Sequence, residues 1–149
     1  MRAYHSYGAI DLDAKENIET ANEVGLATDV YMFPCRGKDA ATQVNQLMDY
    51  LNGMKSDKSA FAYTTGTIWL DIETNPSAGC SWNQGTFETN CDFIKALVDN
   101  LQVHGRAVGI YASHYMWNLI LGGVDRCNMF MSLPIWYAHY DSMQSFSDW

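Results

Sequence analysis

Two carboxylates two residues apart, Asp71 and Glu73, close an apolar, strand-like run: Thr67-Ile68-Trp69-Leu70-Asp71-Ile72-Glu73-Thr74-Asn75-Pro76. Strand side chains alternate between faces, so the i, i+2 spacing projects both acids from one face. The strand's C-terminal end is where parallel α/β sheets and barrels carry their chemistry. Repulsion and desolvation drive the two pKa values apart, so that one acid keeps its proton near neutral pH. Glycoside hydrolysis needs such a pair. Competing readings of the bare pattern are an ion pair with a neighbouring Arg or Lys and half of a hard-metal site. A metal site drawing on Asp71, Glu73, His139 and Asp141 has no recognisable ligand spacing, and none is expected; no cofactor is expected either.

The remaining elements must position that pair. Asp13 and Glu16 read as a capping box opening a helix with Ala14, Ile18, Ala21 and Val24 on its apolar face, stopped by Gly25. Residues 27–33 read as a strand closed by Pro34. Asp39 caps a second helix with Val44, Leu47, Met48 and Leu51 at i, i+3, i+4, i+7, ended by Gly53. A polar stretch, Lys55 to Ser59, leads to the acidic strand. After the loop 75–82 comes a helix with Ile94, Leu97, Val98 and Leu101 inward and Gly105 at its end. Then follow a strand over 107–113, a helical segment around Met116, Leu119 and Ile120 that starts near His114 and breaks at Gly122-Gly123, and a strand over 134–141. The first residues, 2–8, read as the end of a strand and its loop.

Alternating strands and helices predict βαβ units, a parallel sheet and outer helices. The strand ends bring together Tyr31 and Phe33, Asp71 and Glu73, Tyr111 and Ser113, and the run from Trp136 through Tyr140 to Asp141. Acids ringed by aromatics suit a carbohydrate cleft, and the chain has no G-x-G-x-x-G or Walker loop to hold a nucleotide.

Composition agrees with one globular domain of 149 residues, 48% hydrophobic and only 17% charged. A net charge of −8 argues against nucleic acid as a partner. No apolar run reaches the length of a membrane span, and the N-terminal residues carry no secretory h-region. The four cysteines, Cys35, Cys80, Cys91 and Cys127, form no C-x-x-C, so a zinc cluster is not expected. They allow three full connectivities. Cys80 and Cys91 flank a short loop, and a bridge between them is expected if the compartment is oxidising.

The run 25–38 (GLATDVYMFPCRGK), with Ile68-Trp69-Leu70-Asp71-Ile72-Glu73, Gly109-Ile110-Tyr111-Ala112-Ser113 and Ile135-Trp136-Tyr137-Ala138-His139-Tyr140, resembles the eukaryotic, nematode and amoeba-like branch of glycoside hydrolase family 25 lysozymes. The stretches fall in the family's order and cover nearly the whole chain. The resemblance implies an irregular β/α barrel, present here as a partial (β/α) barrel of parallel strands with outer helices. It also implies an N-acetylmuramidase acting on bacterial peptidoglycan, with an extracellular or lysosomal/phagosomal setting. By carry-over of the D-x-E motif, Glu73 is the general acid, and Asp71 stabilises the oxocarbenium-like transition state or orients the acetamido group. Tyr31, Tyr111, Trp136 and Tyr140 are the expected substrate-binding aromatics.

Two active-site acids of the family, on its first and last strands, have no counterpart, since Asp141 and Asp148 match neither motif. At most five barrel strands are therefore expected. The inner-face residues Tyr31, Trp69 and Tyr111 should meet water, and a stable active monomer of these residues alone is not expected. The alternative function is an impaired relative that binds glycan without cutting it.

Overall fold

The computed structural model describes residues 1–53, 66–147 and 149; the polar stretch from Lys55 to Ser59 and Asp148 lie outside them. The fold is mixed α/β. Its elements are β1 (Arg2–His5), β2 (Ala9–Ile10), α1 (Ala14–Glu23), β3 (Val30–Met32), α2 (Ala40–Gly53), β4 (Ile68–Asp71), α3 (Phe87–Val103), β5 (Val108–Ala112), α4 (His114–Leu121) and β6 (Ile135–Tyr137). They form one six-stranded sheet ordered β2-β1-β3-β4-β5-β6. Every pairing is parallel except β1 with β2, a hairpin in which Tyr4 faces Ile10. Five strands are thus parallel, as expected, and the two-residue antiparallel edge strand is the addition.

Each parallel strand pairs with the next one along the chain, so the crossovers stack their helices against one face. That face is aliphatic: Val30, Met32, Ile68, Leu70, Val108 and Ile110 are at most 4% exposed. It packs on Ile18 of α1, Leu47 and Leu51 of α2, Ile94, Leu97 and Leu101 of α3, and Ile120 of α4, in one continuous core. The helical periodicities at 44–51 and 94–101 are therefore met. Two expected apolar positions are not buried: Val24 is 71% and Leu119 50% exposed. Val24 is the C-cap of α1, past the last full turn. In α4, Trp117 and Leu121 take the inward face instead, one position round the helix from the expected stripe.

Caps differ in the same way. The Asp39 carboxylate accepts from the backbone N–H of Thr42 at 2.7 Å and caps α2 as expected. Asp13 forms no side-chain cap, because its own backbone is already helical (φ −75°, ψ −13°) and its carboxylate cannot swing back onto the first turn. Asp11 accepts from the Asp13 N–H at 3.1 Å instead. Ser113 caps α4 by accepting from the Met116 N–H at 3.1 Å, and His114 is the first helical residue, as expected.

The Cys80–Cys91 bridge is not formed. Cys35 pairs with Cys80, and Cys91 with Cys127, with Cα separations of 4.5 and 5.8 Å. The parallel β3–β4 pairing lays the loops after those two strands side by side, which brings Cys35 to Cys80. Between Cys80 and Cys91 lie a 3-10 turn (Trp82–Gln84) and the capped start of α3. These turn Cys91 away, toward the loop between α4 and β6. The first bridge staples two loops and the second ties α3 to the loop after α4, closing segments of 45 and 36 residues; chain entropy alone makes each worth roughly 3–4 kcal/mol.

Candidate active site

The sheet's other face is built from the alternate residues. Register places Tyr31 beside Trp69 and Trp69 beside Gly109 in one row. In the next row Asp71 lies beside Tyr111, and Tyr111 beside Trp136. Tyr31, Trp69 and Tyr111 are half-buried, as expected for an inner face that meets water. Gly109 is required there: a Cβ would come within 2.5 Å of the Trp69 ring. The indole of Trp69 donates to the Asp29 carboxylate at 3.0 Å. Its ring meets Trp136 edge-on at 5.9 Å, and Trp136 meets Tyr111 at 4.9 Å.

An open cavity of about 240 Å³ lies over this face, lined by Tyr31, Asp71, Glu73, Tyr111 and Trp136. Five of the six expected site residues therefore meet in one place. Tyr140 does not line the cavity and is 93% exposed, though its hydroxyl is near enough to help raise the Tyr111 pKa. It follows the last hydrogen-bonded residues of β6, where nothing packs its ring. His139 pairs with Asp141 at 3.5 Å and not with the Asp71–Glu73 pair.

The two acids are unequal. Asp71 is 6% exposed and its Oδ1 is buried without a hydrogen-bond partner. Burial, then the neighbouring Glu73 charge, then a hydrogen bond with Glu73 push the Asp71 pKa up to about 8. Glu73 lies one residue past the hydrogen-bonded Ile72 N–H, half-buried at the cavity. The expectation that one acid stays protonated near neutrality is met at Asp71, the more deeply buried of the two. Burial, the Tyr140 hydroxyl and the carboxylates also hold the Tyr111 phenol well above its ordinary value. Tyr31 is raised as well, chiefly by burial.

The loop after Glu73 is pinned by residues that sequence patterns do not single out. The Asn75 amide donates to Ser6 O at 2.7 Å and Pro34 O at 3.1 Å, and its oxygen accepts from the Ser77 N–H. One buried side chain thus ties together the loops after β1, β3 and β4. Trp82 donates its indole N–H to Glu73 O at 2.7 Å. On the hairpin side, Arg2 holds the buried Asp11 at 2.7 Å, with His5 3.6 Å from the same oxygen. Asn75 after D-x-E was the available signal; its partners come from loops about 40 and 70 residues away.

The model of the family described as lysozyme-like protein 1 matches residues 1–149. The chain belongs to this lysozyme-like family. Its curated relatives include the probable GH family 25 lysozyme 2 of Dictyostelium discoideum, 35% identical over 99% of this chain and 63% of the relative. Lysozyme-like protein 5 of Caenorhabditis elegans is 33% identical over 98% of this chain and 63% of the relative. The chain thus spans just under two thirds of the length of these relatives. Among solved structures, the muramidase from Acremonium alcalophilum aligns over 97% of this chain and 66% of its own, with TM-score 0.71 at 19% identity. The bacterial lysozyme from Streptomyces coelicolor aligns over 93% and 61%, with TM-score 0.69 at 20% identity. At these identities the structural likeness establishes the fold: the mostly parallel α/β sheet of family 25 lysozymes.

Proposed function

We propose that this chain is the glycosidase portion of a muramidase that cleaves β-1,4 bonds between N-acetylmuramic acid and N-acetylglucosamine in bacterial peptidoglycan. The observation that carries the reading is the unequal acid pair at one strand end, under an aromatic-lined cavity that suits sugar rings. Its relatives' lysozyme names support the same chemistry.

In this reading Asp71, its pKa pushed up to about 8, holds a proton through neutral pH. Burial keeps that proton on Asp71 at rest, and the hydrogen bond between the acids makes it available to Glu73 at the cavity. Glu73 delivers it to the glycosidic oxygen as the C1–O bond breaks. The pair is then doubly anionic beside a developing oxocarbenium charge, so repulsion that disfavoured ionisation turns into attraction in the transition state. Tyr111 and Tyr31 remain neutral phenols, able to donate to sugar hydroxyls, and Trp136 offers a half-exposed ring for stacking. The two disulfides support an extracellular or lysosomal site of action.

Release of reducing ends from purified peptidoglycan tests this. Glu73→Gln is isosteric but cannot supply a proton, and should lower the rate by roughly 10²–10⁴-fold with the thermal unfolding curve unchanged. Wild-type activity in that variant would remove Glu73 from the mechanism.

A further inference from the structure

A second cavity, larger than the acid cleft, lies nearby. It measures about 400 Å³ and lies between the β4–α3 loop, the first turn of α3 and α4. We propose that this cavity is a second sugar site, taking a neutral N-acetylhexosamine unit of a glycan strand beside the catalytic cleft; the glycan class rests on the muramidase reading.

Its aromatic wall is preset. Phe87, the first residue of α3, is 43% exposed yet held fast. The Arg126 guanidinium stacks 5.4 Å from its ring centroid, and the ring lies so close to Gly122 that a Cβ there would come within 2.6 Å of it. An exposed aromatic immobilised in this way loses little entropy when a sugar face covers it. Leu119, 50% exposed, adds a second apolar surface for an acetamido methyl or a ring C–H face.

The polar lining is neutral. Thr74 and Asn83, both exposed, bring a hydroxyl and a carboxamide to the cavity, the complement of sugar hydroxyls and an acetamide. The one carboxylate at the rim, Glu88, is already engaged by Arg126 at 2.9 Å. That pairing leaves no net charge to select a phosphate or a charged peptide. Cavity size and the mixture of apolar surface with a few polar groups match small-ligand sites generally.

Position ties the cavity to the cleft. Glu73 lines one and Thr74, the next residue, lines the other, so residues 73–75 form a shared wall. Trp82 forms part of the second cavity while donating to Glu73 O. A polymeric substrate extends past its cleaved bond, and a site on the far side of this wall would hold a neighbouring unit of the strand.

The test is titration of the Glu73→Gln protein with tri-N-acetylchitotriose, followed residue by residue by NMR, with maltotriose as the control lacking acetamido groups. Saturable shifts at Thr74, Asn83 and Phe87 are expected with the acetylated sugar only. Asn83→Ala and Phe87→Leu should each weaken that response by roughly tenfold while shifts at Tyr111 and Trp136 persist. Shifts confined to Tyr31, Tyr111 and Trp136 would overturn the second site and leave the muramidase reading standing. Cavity shifts unaffected by both substitutions, or an equal response to maltotriose, would overturn it as well. Silence at both places would remove the second site and the glycan reading together, whereas a fully active Glu73→Gln would overturn the catalytic assignment alone.

Discussion

The two faces of the sheet are made by the same strands and differ in almost every physical respect. On the helix side Ile68, Leu70 and Ile72 are fully buried aliphatics, interchangeable with any side chains of similar volume. One residue out of phase, Trp69, Asp71 and Glu73 lie on the other face, where the two acids line an open cavity and the Asp71 Oδ1 is buried without a hydrogen-bond partner. The first face holds the fold together. The second carries groups that cost stability, a buried carboxyl and exposed rings, which the proposed function assigns to a substrate. The lesson is that stability and chemistry are separated here by strand alternation alone, so mutations on the two faces should have opposite signatures.

The sharpest contrast is Glu73→Gln, expected to remove activity and leave stability unchanged. Its counterpart is Leu70→Ala on the helix face, which should cost about 2–5 kcal/mol by chemical denaturation. The molecules that stay folded should retain the wild-type rate; a specific loss of turnover would mean that the faces are not independent.

Asp71→Asn should show the reverse sign. Because the folded-state pKa of Asp71 is raised from 3.8 to about 8, the native state binds its proton more tightly than the unfolded chain does. That contribution to stability is fully present below about pH 3.8 and is lost as pH rises toward 8. The amide needs no proton, so the variant should be less active yet more stable than wild type at pH 8, by on the order of a few kcal/mol. At pH 4 the gain should vanish. Thermal unfolding across pH 4–9 measures this, and a pH-independent difference would refute the assignment of the proton to Asp71.

Asn75→Ala probes the seam between the faces. Loss of its three hydrogen bonds takes the Asn75 donor from the buried Pro34 carbonyl and the part-buried Ser6 carbonyl, a cost of roughly 1–3 kcal/mol. The loop after Glu73 would be held only from the Trp82 side, so turnover should fall further than substrate affinity. The smallest effect is expected for Trp136→Ala, half exposed on β6. Stability should change by under about 1 kcal/mol, while KM for peptidoglycan rises. A large loss of stability instead would make Trp136 a packing residue and not a binding one.

Local signals were enough for much of this. The period-3.6 stripes at 44–51 and 94–101, the glycines after them and the alternation through Trp69-Leu70-Asp71-Ile72-Glu73 encode helices, a strand and a face, because those patterns reflect backbone geometry within a few residues. The pairing of Asp71 with Glu73, and the approach of Tyr31, Tyr111 and Trp136, followed from alternation combined with parallel strand ends. Whatever depended on meetings between distant segments was not legible. Cys35 reached Cys80 only because β3 lies beside β4, Asn75 found its acceptors on two other loops, and β2 was too short to carry a period. Sequence by itself determined that one of two neighbouring acids must hold a proton, since two charges cannot share so small a volume cheaply. Only the tertiary structure decided that the proton rests on Asp71, because desolvation depends on what every other strand and loop places around the group.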